Sequence, residues 1–308
     1  MTNLKQQIVD RLLAEGADIV RFGNAASVND PAIAKIMPSA RTVVCAAFRQ
    51  LRGSRRGVED GTTYYQYATT AVETIEETII PMALLKTVAL IEDAGFDALP
   101  QRRNQVVMQE MEGTNPEVDF RTIKHGLVAE NQLDFEKDAV ACGMGERGLS
   151  GSILTDDFGP CQRLAFILTD AILEPDPVME PHLCDKCGKC ISACPGKALA
   201  PDGTKNQWQC AAYYTGAAKS NNPFMPQNAF DDDPERLKII AGEAQLTPEH
   251  AKQIIQKLVF YPGHRHAYRA CICGRACDTE CYVHLEETGA LERKFFSPFR
   301  KRPKINLD

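Results

Sequence analysis

The stretch CDKCGKCISACPGKAL, residues 184–199, decides how this chain is read. It holds Cys184, Cys187, Cys190 and Cys194 at C-x2-C-x2-C-x3-C, with Pro195 directly after the last. That spacing is the run used to load 4Fe–4S clusters. Three closely stepped thiolates converge on one cubane, and the fourth, three residues on, points to a second. Pro195 keeps the residue before it out of the helical region and pre-sets the turn that follows. A structural zinc site or buried free thiols are the plainer alternatives.

A second group lies in CICGRACDTECY, with Cys271, Cys273, Cys277 and Cys281, and Cys210 stands between the two groups in QWQCAAYY. Two 4Fe–4S clusters take eight thiolates. Crossed ligation assigns Cys184, Cys187, Cys190 and Cys281 to the first cluster. It assigns Cys194, Cys210, Cys273 and Cys277 to the second. Cys271 competes with Cys273 for the eighth place, and Cys273 is preferred because it keeps regular steps to Cys277 and Cys281. Cys45, Cys142, Cys161 and Cys271 are then free. Zinc would have to fill two four-ligand sites, explains Pro195 less well and carries no redox chemistry.

The rest of the chain bounds the setting. Its 308 residues make one large domain or two ordinary ones, and 44% hydrophobic residues suffice for a full core. A net charge of −6 argues against a nucleic-acid backbone, DNA included, as partner. No run of 18 apolar residues is present, so no membrane span is expected. The start MTNLKQQIVDRLLAEG reads as a helix with Leu4, Ile8 and Leu12 on one face and Gly16 as its stop, without the apolar core of a signal peptide. Metal-type cysteine spacing points to a reducing, cytoplasmic setting. Exposed clusters suit an anaerobic host.

Along the chain, Asp18–Gly23 and the β-branched run Thr42–Phe48 read as strands, with Cys45 a small core residue. Residues 53–62 read as a Gly- and Arg-rich loop. Residues 64–94 read as helical, kinked or restarted at Pro81 and ended by Gly95. Tyr64, Tyr65 and Tyr67 either line a cavity or pack on the sheet. Residues 105–108 suggest a further strand and residues 112–115 a turn. Leu133–Cys142 reads as a helix stopped at Gly143, and strands are expected over Ser152–Thr155 and Leu164–Thr169. Between them Gly143, Gly145, Gly148 and Gly151 let backbone approach something closely. Arg147 in that turn would hold an anion or make a surface ion pair. Pro175, Pro177 and Pro181 form a stiff linker, placing a domain boundary near residue 180. Residues 216–246 read as irregular surface, and Thr247–Pro248 caps a helix buried through Ala251, Ile254, Ile255, Leu258 and Val259. The basic tail from Arg293 through Lys294, Arg300, Lys301, Arg302 and Lys304 reads as solvated, with an acidic electron donor as the rival interpretation.

With these residues in place, GMGERGLSGSILTDDFGPCQRLAFILTDAILEPDP (residues 143–177) followed by the first cysteine run resembles epoxyqueuosine reductases and the related reductive dehalogenases. Those are cobalamin-dependent enzymes with two 4Fe–4S clusters. Cys142-Gly143-Met144-Gly145 stands where the family has its AGLG turn, and Leu168-Thr169-Asp170 at the end of its "TD" strand. Pro38, Thr42–Phe48 and Tyr67-Ala68 fit the N-terminal half loosely. The resemblance implies an α+β fold: a nitroreductase-like domain over residues 1–180 holding the corrinoid, then a ferredoxin-like two-cluster domain over residues 181–308. It places Gly143, Met144, Gly145, Arg147, Gly148 and Gly151 against the cofactor. The activity implied is a cytoplasmic reductase that takes electrons from a ferredoxin or flavodoxin and passes them through the clusters to cobalamin and a small molecule. Homodimers would be ordinary for such a domain.

Two departures separate this chain from the family's pattern. The family's proton-donor "VDxxP" segment falls here on GLVAENQL, residues 126–133, which lacks it, and Asp134 lies about five residues too close to the turn. The second cysteine group has C-x3-C-x3-C with Tyr282 in place of proline. A substrate other than epoxyqueuosine is therefore expected, with His125, Glu130, Asp134 and Tyr64 as candidate acids. FMN on the same fold is the rival cofactor. An electron carrier or corrinoid-binding partner protein is the rival without catalysis.

Overall fold

The computed structural model describes residues 4–59, 69–103, 132–222, 224–258 and 271–300. The fold is mixed α+β. Its N-terminal half is built on a four-stranded antiparallel sheet of β1 (Ile19–Asn24), β2 (Thr42–Arg49), β3 (Ala98–Arg102) and β6 (Gln162–Thr169), in the order β1-β2-β6-β3. β4 (Glu146–Arg147) and β5 (Ile153–Leu154) form a small hairpin beside it.

The central strands are apolar throughout because both faces of the sheet are covered. Successive side chains of a strand point to opposite faces. Val44, Ala46 and Phe48 of β2 join a core with Ile8 and Leu12 of the first helix and with Ile80, Leu84 and Ile91. Val43, Cys45 and Ala47 join a second core with Ile33, Phe135, Ala139 and Met144. Cys45 is fully buried, as its place in the strand predicts. The first helix spans Leu4–Ala14 and buries Ile8 and Leu12, and Gly16 follows it in a left-handed conformation, φ +104°.

Several expectations change. The 53–62 loop is instead a helix over Arg52–Glu59, at least up to its last described residue. Tertiary bonding overrides its poor propensity: Arg55 is 1% exposed and donates to Gln50 Oε1 at 2.6 Å and Thr279 Oγ1 at 3.1 Å. The stretch up to residue 94 is helical and restarts at Pro81 as expected, but its first part takes π-helical form. Two π-helical turns, Thr69–Glu73 and Ile75–Ile79, precede the α-helix Ile80–Asp93, which carries Pro81 in its first turn. β3 was not anticipated, because Pro100 cannot donate to a ladder; as an edge strand β3 tolerates it. Residues 105–108 and 112–115 lie outside the described residues, as do Tyr64, Tyr65 and Tyr67.

Residues 216–246 are not irregular surface. Met225, Phe230, Ile239 and Leu246 pack with Ala212, Tyr213 and Ile254 in a core of their own. Order there is not left to metal alone. The helix Pro248–Lys257 starts as expected, with Thr247 Oγ1 accepting from His250 N–H at 3.2 Å. Val259 is outside the described residues. The tail is anchored up to residue 300: Arg300 pairs with Glu59 and with Glu280, and Phe299 is 1% exposed. Among the described residues no helix is long and apolar enough to cross a membrane.

Candidate metal centre

The chain from Leu183 to Ser192 wraps a small cleft. Cys184, Cys187 and Cys190 line it, and Cys281 joins them from the helix Ala276–Glu287, about ninety residues later. The loop is drawn into place by one carboxylate. Glu146 of β4 is 4% exposed and accepts from the backbone N–H groups of His182, Leu183 (3.0 Å) and Cys184 (2.6 Å). One residue type thereby satisfies three successive donors that would otherwise be stranded at the buried entrance to the run. Leu149 N–H points at Cys184 Sγ, 3.3 Å away. On the rim, Asp185 Oδ2 meets His284 Nε2 at 2.7 Å, with Cys187 Sγ within 4.8 Å of both. The His284 bond holds the Asp185 carboxyl below its ordinary range.

The remaining cysteines of the two runs gather separately. Cys210 lies within electrostatic reach of Cys194 and Cys271, Cys277 of Cys210 and Cys194, and Cys273 of Cys271, Cys277 and Cys210. Gln209, 2% exposed, fixes this side: its amide donates to Gly196 O (2.8 Å) and Ala244 O (2.7 Å), and its oxygen accepts from Leu246 N–H (2.9 Å). Ser152, just past the glycine turn, donates to Asp278 at 2.7 Å, and Asp278 pairs with Arg275 at 2.5 Å. Residues 146–152 thus hold the lead-in to the first cysteine group through Glu146 and the second through Ser152. Neither Glu146 nor Gln209 was singled out by sequence reasoning. The only signal was a lone acid inside a glycine turn and a Gln directly before Cys210.

Burial raises the thiols of Cys190, Cys210, Cys277 and Cys281 above their ordinary value. Buried thiols are protonated at neutral pH and become thiolates only when a cation compensates them. The two groups therefore suit positively charged iron or zinc centres that release protons on loading. Cys45, Cys142 and Cys161 are buried with raised values as well, but Cys45 and Cys142 belong to the sheet core.

The glycine turn serves the chain itself. Gly143 has φ +76°, and a Cβ there would stand 2.1 Å from Pro177 O; at Gly145 it would stand 2.2 Å from Leu154 O. What the backbone approaches so closely is other backbone. Gly148 packs against the Leu154 side chain, and exposed Arg147 lies over Gly151. Gly143 and Met144 do border an open cavity of about 670 Å³, lined by Asp18, Asp156, Asp157, Asp176 and Glu292 with Arg21 among them. That excess of carboxylates does not favour a phosphate-bearing corrinoid or flavin in this cavity. Among the described residues Asp134 has a structural role. It caps the helix Phe135–Ala141, accepting from Lys137 N–H at 3.1 Å. His125, Glu130 and Tyr64 lie outside the described residues.

No family model matches the chain. An epoxyqueuosine reductase of Prochlorococcus marinus (strain NATL2A) is 31% identical over 90 residues, 29% of this chain and 28% of that protein. A tetrachloroethene reductive dehalogenase of Desulfitobacterium hafniense is 40% identical over 65 residues, 20% of this chain and 12% of that protein. These matches span under a third of either relative's length. The solved epoxyqueuosine reductase of Streptococcus thermophilus superposes with a TM-score of 0.46 at 16% identity, over 78% of this chain and 63% of that one. Over these aligned stretches the chain is similar to epoxyqueuosine reductases and reductive dehalogenases.

Proposed function

We propose that the chain is an iron–sulfur oxidoreductase of this group, with two 4Fe–4S clusters that move single electrons between an external donor and the N-terminal half. The observation that carries this is the meeting of Cys281 with Cys184, Cys187 and Cys190 around one cleft. A zinc ribbon would not need a ligand exchanged between runs so far apart, whereas paired clusters do. The finer fold follows from the same reading: a ferredoxin-like unit over residues 181–308 attached to a nitroreductase-like unit over residues 1–180.

Direction follows from exposure. Cys187 is exposed, and Lys186 and Lys189 flank it, so the first cluster is where a ferredoxin or flavodoxin would deliver electrons. Cys271 and Cys273 of the second site pack against Val58, Ala71 and Val72 of the N-terminal half, and we assign the exit of electrons to that site. Backbone N–H groups aimed at sulfur, Leu149 at Cys184 and Ala198 at Cys194, would help set the potentials of the two centres. A cobalamin is what the relatives suggest as the acceptor, with reduction of a small molecule other than epoxyqueuosine as the outcome. Because the glycine turn is filled by its own chain, no step is assigned to a corrinoid. That same filling favours a second reading, an electron-transfer partner protein without an organic cofactor.

The test is the absorption spectrum of protein purified without oxygen and then offered cobalamin or FMN. A broad band near 400 nm, with added corrinoid or flavin bands retained after gel filtration, supports the reductase. The band alone supports the electron-transfer partner. Absence of iron rejects both.

A further inference from the structure

The second site contains one thiol more than a cubane can use. Cys194, Cys210 and Cys277 supply three, and Cys271 and Cys273 both face the same place. Their sulfurs stand 3.8 Å apart, at S–H···S contact. Thiolates bound to different corners of a 4Fe–4S cubane diverge from one another. Two in hydrogen-bond contact address the same corner. The backbone enforces this closeness. Tyr214 O accepts from Ile272 N–H at 2.9 Å and from Cys273 N–H at 3.4 Å, and Gly274 N–H bonds back to Cys271 O at 3.1 Å. That tight turn folds the C-x-C segment so that both side chains emerge on one side, and Cys271, 2% exposed, is sealed against Ala71 and Val72.

We infer that Cys271 and Cys273 serve a single iron of the second cluster as alternates. One ligates as thiolate. The other stays protonated, donates S–H···S to the ligating sulfur, and takes the iron when its neighbour is lost. No electron is transferred in the exchange: one Fe–S bond breaks, one forms, and the proton passes between the two sulfurs, or to solvent where the neighbouring thiol is absent. A hydrogen bond to a ligating sulfur favours the reduced, more negative cluster, so the pair also raises the potential of the second centre. With its potential raised, it would accept electrons from the first more readily. The inference rests on the two-cluster reading, since without a second cluster there is no corner to share.

The experiment uses the full chain, purified or reconstituted without oxygen, as Cys271→Ala, as Cys273→Ala and as the double variant. Iron and sulfide per chain, low-temperature electron paramagnetic resonance and redox titration are measured on each. Each single variant is expected to keep about eight irons, with the second cluster's midpoint moved to a more negative value in both. The double variant should fall to about four, the first cluster's signal persisting as proof that the chain still folds. One single variant at about four irons with the other unshifted at about eight would overturn the inference: one cysteine is then the fixed ligand and the other a bystander. Both singles at about four would overturn it as well. Wild-type protein without iron would instead refute the two-cluster reading itself.

Discussion

Removing the carboxylate of Glu146 should unseat the first cluster while leaving the sheet intact. That side chain is 4% exposed and is the acceptor for three consecutive backbone donors, at His182, Leu183 and Cys184. A hydrogen bond to a charged group contributes roughly 1.5–3 kcal/mol, and an unsatisfied buried donor costs roughly 1–3 kcal/mol. In Glu146→Ala all three donors lose their partner together. Non-additivity and water entry reduce the sum, so a local loss of about 3–5 kcal/mol is expected. In Glu146→Gln one oxygen still accepts and the charge is gone, which should cost about 1–3 kcal/mol. Two readouts separate local from global damage. Hydrogen exchange at residues 182–184 should accelerate by two orders of magnitude or more in the alanine variant, with the strands β2 and β6 keeping their protection. Iron should be lost from the first cluster first, and faster from the alanine than from the glutamine variant. If Glu146→Ala retains full iron with unchanged exchange at 182–184, Glu146 does not organise the entrance.

Three other outcomes follow from the same structure. Asp138 is fully buried, and burial, together with the charge of Asp30, a hydrogen bond to it and the charge of Asp134, raises its pKa from 3.8 to about 8. The fold therefore holds the proton more tightly than the unfolded chain does; its contribution is full below about pH 4 and is lost as pH rises to about 8, a change on the order of 5 kcal/mol. Asp138→Asn should flatten the chemical-denaturation profile over that range and be the more stable protein at pH 8.5; an unchanged slope would show that Asp138 ionises freely in the fold. Gly145→Ala should cost roughly 3 kcal/mol, because its Cβ meets Leu154 O of the paired strand, while Gly188→Ala, with open space beside its Cβ position, should cost only its left-handed φ of +73°. Thermal melting of the two variants checks the order. Iron uptake by the apo chain should release protons and strengthen as pH rises from 6 to 8.5, since burial keeps Cys190, Cys210, Cys277 and Cys281 protonated. Uptake independent of pH, in a pH-stat titration, would contradict that.

The first cysteine run is legible as a candidate ligand set from spacing alone, because a thiolate's reach is short and ligands must then fall within a few residues of one another. The grouping of Cys281 with the first run came from counting, and the cleft agrees with it. The sheet was legible where strands are β-branched and central, as in Thr42–Phe48, and illegible at β3, where Pro100 disguises an edge. Tertiary bonding was not legible. Arg55 sits in a helix because its guanidinium reaches Gln50 and Thr279, the latter over two hundred residues away. The glycine turn was recognised as a close approach, but sequence does not reveal which partner approaches. Here, at Gly143 and Gly145, it is the carbonyls of Pro177 and Leu154. Asp134, offered as an acid, is explained by the helix it starts.

The central claim is that this chain carries two 4Fe–4S clusters with ligands exchanged between its cysteine runs. Iron and acid-labile sulfide, determined on anaerobically purified wild-type protein and on Cys281→Ser, test it most directly. The account predicts about eight of each per wild-type chain, and in Cys281→Ser loss or conversion of the first cluster's signal with the second cluster's retained. Stoichiometric zinc, about four irons in the wild type, or loss of the second cluster and not the first in Cys281→Ser would contradict it.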